Sequence, residues 1–270
     1  MTALTDGPAI GPLLRGWRER ASLSQLELAL RADSSARHIS FIETGRTAPS
    51  REMVLKLACT LDVPVRERNA LLLAAGYAPA FPATPMDDPE FAEVRAGLER
   101  MVTAYEPYPA LILNGAYEVV AANQGIALLM EGVAPHLLEP VPNAMRVTLH
   151  PEGMAPRIRN LPEWRGHLLA QMRRQLALHR SAPLRSLYEE VAGYPAPDGS
   201  SPLEREPGPP GGDPGTRFAL PLMIELDGRT LSFLSTIATF NTPLDVTVSE
   251  LAVETFLPAD PATAKALRAD

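Results

Sequence analysis

Residues 23–45 read LSQLELALRADSSARHISFIETG. Ser24 followed three residues later by Glu27 is a capping-box pair, so a helix opens here and runs to about Ala32. Asp33-Ser34 makes a tight turn. A second helix then spans roughly Ser35 to Thr44 and stops at Gly45. Ala29 is the small residue where two such helices cross, and Ile39 and Ile42 face the core. This leaves Ala36, Arg37, His38, Ser40 and Phe41 pointing outward. Asp33 falls where such a turn usually carries glycine; aspartate tolerates the left-handed region better than most side chains.

Outward from this stretch the helical pattern continues on both sides. Ile10, Leu13, Leu14 and Trp17 recur at helical spacing before it. After it, Ser50 caps a fourth helix carrying Met53, Leu55, Leu57, Ala58 and Leu61, and a fifth runs from near Pro64 through Leu71, Leu72 and Leu73 to Gly76. Residues 1–78 therefore form an all-α five-helix domain. Cys59, the single cysteine of the chain, falls in the apolar run of the fourth helix and is expected to be a small core residue.

The net charge of −7 argues against nucleic acid until it is divided. Residues 1–78 hold 10 Lys and Arg against 8 Asp and Glu, a net of +2, and residues 79–270 hold 15 against 24, a net of −9. The positive share lies with the helical stretch, and attraction to phosphate follows local charge. A helix set into the major groove meets base edges with its N-terminal residues. Ala36, Arg37 and His38 are accordingly the base-reading candidates, with Ser35, Ser40 and Phe41 beside them. Arg37 suits bidentate contact with guanine. Gln25 is placed to bind a phosphate and brace the third helix, and Arg46 and Arg51 to bind the flanking backbone.

With Ser24, Gln25, Leu28, Ala29, Ser35, Ile39, Ser40, Glu43, Gly45 and Pro49 in one frame, residues 11–76 resemble the XRE (Cro/repressor-like) helix-turn-helix domain, which implies a lambda-repressor-like fold. Ser34, where the family commonly has an apolar residue, is a second departure beside Asp33. The resemblance implies a homodimer on a palindromic DNA operator, with half-sites about one helical turn, ~34 Å, apart.

Residues 79–88, with Pro79, Pro82 and Pro85, read as a linker to a second domain at 89–265. There Asp88-Pro89 opens a helix with Phe91, Val94, Leu98, Met101 and Tyr105 on one face. Asn114-Gly115 between Ala110–Leu113 and Tyr117–Val120 predicts a hairpin, followed by a helix from about Asn123 to Met130. Residues 135–162 carry no clear assignment. A long amphipathic helix from Pro162 places Leu161, Trp164, Leu168, Met172 and Leu176 on one face, with Arg165 elsewhere. Residues 194–216, rich in Pro and Gly, predict a flexible loop. Asp227-Gly228 centres a second hairpin, and Leu251–Leu257 a last strand.

This half resembles a PAS-like α+β fold, an antiparallel sheet with helices on one face. SARHISFIETGRTAPSREMV, RNALLLAAGYAPA, EPYPALIL, LHPEG, NLPEWR and ATFNTPLDVT together resemble the XRE regulators with an MmyB-like ligand-binding domain, from Gly11 to about Asp260 except the Pro/Gly loop. The resemblance implies an apolar cavity for a small, fatty-acid-like ligand. Leu111, Leu113, Trp164, Leu168, Phe233 and Ile237 are the expected lining, and Arg157, Arg159 and Asn160 the expected donors to a carboxylate head.

Enzyme chemistry has no foothold in the pattern. The five histidines show no metal-ligand spacing, one cysteine cannot build a zinc site, and no nucleophile elbow, phosphate loop or dinucleotide fingerprint occurs. No metal and no cofactor are expected. No signal peptide or membrane span is visible, so a cytoplasmic setting is expected. Two other readings stay open: an antitoxin-like or scaffold module that docks a protein, and a haem or flavin sensor.

Overall fold

A computed structural model of the chain describes residues 9–178, 181–195 and 219–268. All but the first two residues of the loop expected at 194–216 lie outside them. The chain divides into two units, one running to Thr84 and including Thr242–Ser249, the other made of Pro85–Asn241 and the chain from Glu250 onward.

The first unit holds five helices: α1 (Ile10–Arg20), α2 (Gln25–Arg31), α3 (Ala36–Glu43), α4 (Arg51–Thr60) and α5 (Val65–Ala74). The capping box at Ser24 and Glu27 is formed, and Ser35 and Ser50 cap α3 and α4 by accepting from His38 and Met53 backbone N–H groups. Each cap satisfies a donor that the first helical turn leaves without a partner. Asp33 has φ +45°, the left-handed turn conformation expected of it. Leu14, Trp17, Leu28, Ala29, Ile39, Ile42, Leu57 and Leu72 pack into one core. Cys59 is a correction, because α4 turns its side chain to the solvent face while Val54, Leu57 and Ala58 fill the core.

The expected linker is also corrected at its start. Asn69 on α5 accepts the Ala80 and Phe81 N–H groups and donates to the Phe81 carbonyl, fastening residues 80–81 to the helical unit. Beyond them, Asp245 Oδ2 accepts from both N–H and Oγ1 of Thr84 at 3.1 and 2.7 Å. Val246 N–H donates to the Pro82 carbonyl. Val246 itself is buried, on the short helix α11 (Val246–Ser249), which packs beside α5. A strap from far along the sequence thus belongs to the helical unit.

The second unit is an antiparallel sheet with strand order β2-β1-β5-β4-β3: β1 (Ala110–Leu113), β2 (Val119–Ala122), β3 (Leu222–Leu226), β4 (Arg229–Thr239) and β5 (Ala252–Pro258). Its helices are α6 (Ala92–Thr103), α7 (Gly125–Met130), α8 (Ala144–Leu149), α9 (Leu161–Leu178), α10 (Ala182–Ala192) and α12 (Pro261–Ala266). The last strand in sequence lies in the middle of the sheet. Asp227 and Gly228 both take positive φ and join β3 to β4 as a two-residue hairpin. The first hairpin differs from expectation. Asn114 Oδ1 accepts the Ala116 and Glu118 N–H groups, which lengthens the turn, puts Tyr117 at φ +63° and delays β2 to Val119.

Among the helices that escaped the sequence reading are α8 and α10. Both have asparagine or serine caps, Asn143 and Ser181, and α10 buries Leu184, Leu187 and Val191 at helical spacing. Arg165 is buried as well, its Nη2 donating to the carbonyls of Val191, Ala192 and Tyr194 at the end of α10. Carbonyls at a helix C-terminus lack the donors of the helix interior, and Val191 O has only a long 3.4 Å bond from the Tyr194 N–H, so a cation is favoured there.

Candidate DNA interface and ligand cavity

The helix-turn-helix is braced by a buried ion pair. Arg18 on α1 donates from Nε and Nη2 to the two carboxylate oxygens of Glu43 on α3, at 2.6 and 2.9 Å, and from Nη1 to the Leu23 carbonyl at 2.9 Å. Gln25 Nε2 donates to Glu43 Oε2 at 2.8 Å, so the amide expected to brace the third helix does so from inside the motif. The hydrogen bonds that Arg18 donates to Glu43, outweighing burial, hold its guanidinium above the usual range. Close packing adds to the brace: a Cβ on Gly11 of α1 would lie 2.5 Å from the Glu43 carbonyl oxygen. The sequence reading missed both, because Arg18 and Glu43 are 25 residues apart.

On the outer side of α3, Arg37 is exposed and Ala36, His38, Ser40 and Phe41 are half-buried. Arg37 and Arg46 both lean on the Phe41 ring, with their Cζ atoms 5.1 and 5.7 Å from its centroid. A ring face attracts guanidinium groups, so Phe41 positions two cations at the surface. His38 Nδ1 lies 3.3 Å from Ser34 Oγ, which gives the unusual turn serine a partner. Ser35 spends its hydroxyl on its own helix as N-cap, and Ala36 packs partly on the core. Arg46 and Arg51 are exposed at either side of the connection into α4. The arrangement presents cations and hydrogen-bonding groups from one short helix and its flanks, which is what a phosphate backbone and base edges accept.

The second unit contains an apolar cavity of about 140 Å³ between the sheet, α7, α8 and α9. Leu111, Trp164 and Leu168 line it, as expected from the sequence. Leu113 and Phe233 are core residues of the same unit but not part of the lining, and Ile237 is 48% exposed near the end of β4. The three expected head-group donors are engaged elsewhere. Arg157 Nη2 donates to the Leu129 carbonyl at 2.8 Å, and burial pulls its guanidinium below the usual range. Arg159 pairs with Glu225, and its N–H donates to the Met223 carbonyl. Asn160 donates to Pro221 O and accepts from Met223 N. Arg159 and Asn160 stitch the entry of α9 to β3 and Arg157 ties it to α7, tertiary duties that spacing does not reveal.

Sequence reasoning missed the polar part of the wall. Among the lining residues the polar side-chain groups belong to Thr148, Glu254 and the indole N–H of Trp164. Glu254 alternates with Val253 and Thr255 on β5, and Ser235 Oγ donates to its Oε1 at 2.6 Å. Burial pushes the Glu254 carboxyl up, against the opposing effect of that bond. Burial likewise pushes the nearby Tyr117 hydroxyl up to about 12, with the charge of Glu254 adding to the shift. An acid inside a mostly apolar strand was the available signal.

Elsewhere the fold gathers His136, His150 and Glu152, whose ligand-type atoms lie within 4.8 Å of one another. No metal-ligand spacing was visible for these histidines in the sequence. His150 Nδ1 accepts the Glu152 N–H at 3.0 Å, so its Nε2 carries the proton in the neutral ring. A metal at that nitrogen requires the bond to break, which makes the cluster a poor fit for an ion.

Comparison with known families agrees with both halves. Residues 14–68 match the helix-turn-helix family, and residues 94–269 match the MmyB-like transcription regulator ligand binding domain. The chain belongs to the MmyB-like transcription regulators. No curated protein matched this MmyB-like chain in a sequence comparison. The regulator is therefore a DNA-binding transcription regulator modulated through a ligand-binding domain. Among its described residues, no helix is long and apolar enough to cross a membrane.

Proposed function

We propose that this regulator is a one-component switch that binds a palindromic operator as a homodimer, with Arg37 and His38 reading base edges. In this reading Ser35, Ala36, Ser40 and Phe41 complete the reading face. Gln25, Arg46 and Arg51 serve the phosphate backbone. A small aliphatic molecule in the apolar cavity shifts the affinity for DNA. The strand order 2-1-5-4-3 with helices on the cavity face supports the PAS-like sensory reading.

The observation that carries the proposal is the path of one strand. β5 supplies Glu254 and Phe256 to the cavity wall, and the residues immediately before it, Thr242–Ser249, pack within the DNA-binding unit. Displacing β5 therefore pulls on a strap held by Thr84 and Pro82. A ligand moves the balance only as far as it prefers one of the two states.

The cavity volume bears on the ligand. About 140 Å³ is close to the ~150 Å³ that houses a benzene-sized guest. It falls below the ~300–1,000 Å³ of pockets for drug-sized molecules, which disfavours haem or flavin. By the same comparison the cavity holds an aliphatic segment of about six carbons.

Fluorescence anisotropy with a duplex from the region upstream of the regulator's own gene tests the proposal. Specific binding is expected, with a steep salt dependence. Arg37→Ala with His38→Ala is expected to abolish it while circular dichroism stays unchanged. Retained binding by the double variant would refute the assignment of the reading helix.

A further inference from the structure

The second unit carries its charge unevenly. Residues 79–270 hold a net of −9, yet residues 164–188 hold five arginines, no lysine and no Asp or Glu. The remainder has 10 Lys and Arg against 24 Asp and Glu, a net of −14. The basic stretch spans most of α9 and the first half of α10, which pack together across a short connection. Arg165 is spent inside, on the carbonyls at the end of α10. Arg173, Arg174 and Arg185 are exposed. The first two lie about a turn before the end of α9 and the third about a turn after the start of α10, so they share one end of the helix pair.

Among the described residues no carboxylate pairs with any of the three. Arg95, Arg146, Arg157, Arg159 and Arg268, by contrast, all hold acceptors within the protein. Arg185 also stands near the N-terminus of α10, where the helix dipole disfavours a cation. Like charges gathered in one place repel, and an anionic partner offsets that cost. Arginine suits phosphate in particular, because its planar fork makes paired hydrogen bonds to the oxygens. The exposed neighbours Ala177, Ala182 and Ser186 are small and let a phosphate backbone approach. A protein partner requires an apolar centre to its patch. Leu178 is the large apolar side chain exposed there among the described residues, too little for such a centre.

We propose that this end of α9 and α10 is a second DNA-contacting surface, where Arg173, Arg174 and Arg185 bind phosphates of the duplex without reading its sequence. The acidic remainder of the unit repels a duplex, which leaves this edge as the face the unit can present to it. The surface adds affinity and salt dependence, and leaves the choice of operator to the helix-turn-helix.

The test is fluorescence anisotropy of the full chain over a range of salt, with a duplex from upstream of the regulator's own gene and a scrambled duplex of the same length. Each phosphate contact contributes about 0.9 to the salt slope, so three contribute about 2.7 per bound chain, or about fortyfold in affinity between about 50 and 200 mM. The variant Arg173→Gln with Arg174→Gln and Arg185→Gln is expected to lose that share on both duplexes while keeping the wild-type preference between them. The control Arg100→Gln with Arg229→Gln and Lys265→Gln removes the same charge from exposed positions elsewhere in the unit and should change the slope far less. An unchanged slope in the first variant overturns the inference and leaves the patch to an acidic protein. Equal loss in the control overturns it too, because overall charge then suffices. Binding of neither duplex by the wild type at the lower salt does the same. A wild type without preference between the duplexes counts against the reading helix alone, since the slope tests the patch on either one.

Discussion

Replacing Glu43 by alanine isolates the brace of the DNA-reading motif. The Glu43 side chain is 2% exposed and its partner Arg18 10%, so the pair is sealed from solvent. Removal of the carboxylate leaves the guanidinium with the Leu23 carbonyl as its remaining buried acceptor and strips the Gln25 amide of its partner. Breaking a buried pair from one side costs about 3–5 kcal/mol. That is a large share of the ~5–15 kcal/mol that holds a domain together.

Hydrogen exchange read by mass spectrometry on the full chain separates the two units, because peptides from α1–α5 report one and sheet peptides the other. Protection of α1–α3 amides that exchange through unfolding of this unit is expected to fall at least about a hundredfold, since each ~1.4 kcal/mol is a factor of ten. The β1, β4 and β5 amides should keep their protection. The paired change Arg18→Met with Glu43→Leu is expected to recover much of the loss, because apolar replacement of a whole buried pair is often neutral. A loss below about threefold for Glu43→Ala, or equal losses in both units, would refute the reasoning.

Four further outcomes are expected. Hydrogen bonds from Thr84 and from the Thr247 and Val248 amides hold the Asp245 carboxyl below its usual range, against a larger single effect of burial in the other direction. The strap contact it stabilises is present above the usual aspartate value of ~3.9 and is lost as pH falls through the lower folded value. Thr84→Val should move the Asp245 titration upward in carbon-13 NMR, and an unmoved titration counts against the contact. Glu254 has the opposite sign. Burial raises its folded value, so its contribution to stability is complete below the unfolded ~4.3 and is lost as pH rises through the folded value. Glu254→Gln should therefore gain in melting temperature on wild type as pH rises, and a pH-independent difference contradicts the burial of this acid. On α1, Gly11→Ala meets the Glu43 carbonyl at 2.5 Å and should cost about 1–3 kcal/mol. Gly16→Ala, with nothing within 4 Å, should stabilise the helix by about 0.5–1 kcal/mol in urea unfolding.

The elements with local causes were legible in the chain. The Ser24 and Glu27 box, the Ser50 cap, the Asp227-Gly228 hairpin and the apolar face of α9 each depend on residues within a few positions. The errors have physical reasons of the same kind. Cys59 sits in an apolar run, but the run is wider than the buried face of α4, and the helix rotates it outward. Asn114-Gly115 carries the dipeptide of a tight hairpin, yet the Asn114 side chain takes the Ala116 and Glu118 amides and makes a longer turn. Arg165 reads as a surface cation until α10 brings three carbonyl groups over it.

Capping, turn and periodicity signals determined the helix-turn-helix by themselves, because those forces act along the backbone over one or two turns, but not that Thr242–Ser249 belongs with it. Which residues meet was decided by tertiary structure alone. Glu43 finds Arg18, Asp245 finds Thr84 and Glu254 enters the cavity wall through contacts spanning many residues. Charge pairing and burial depend on distance in space, and only the folded chain specifies that distance. The same reason commits the Arg157, Arg159 and Asn160 side chains to partners within the protein and puts an acid from β5 in the cavity wall.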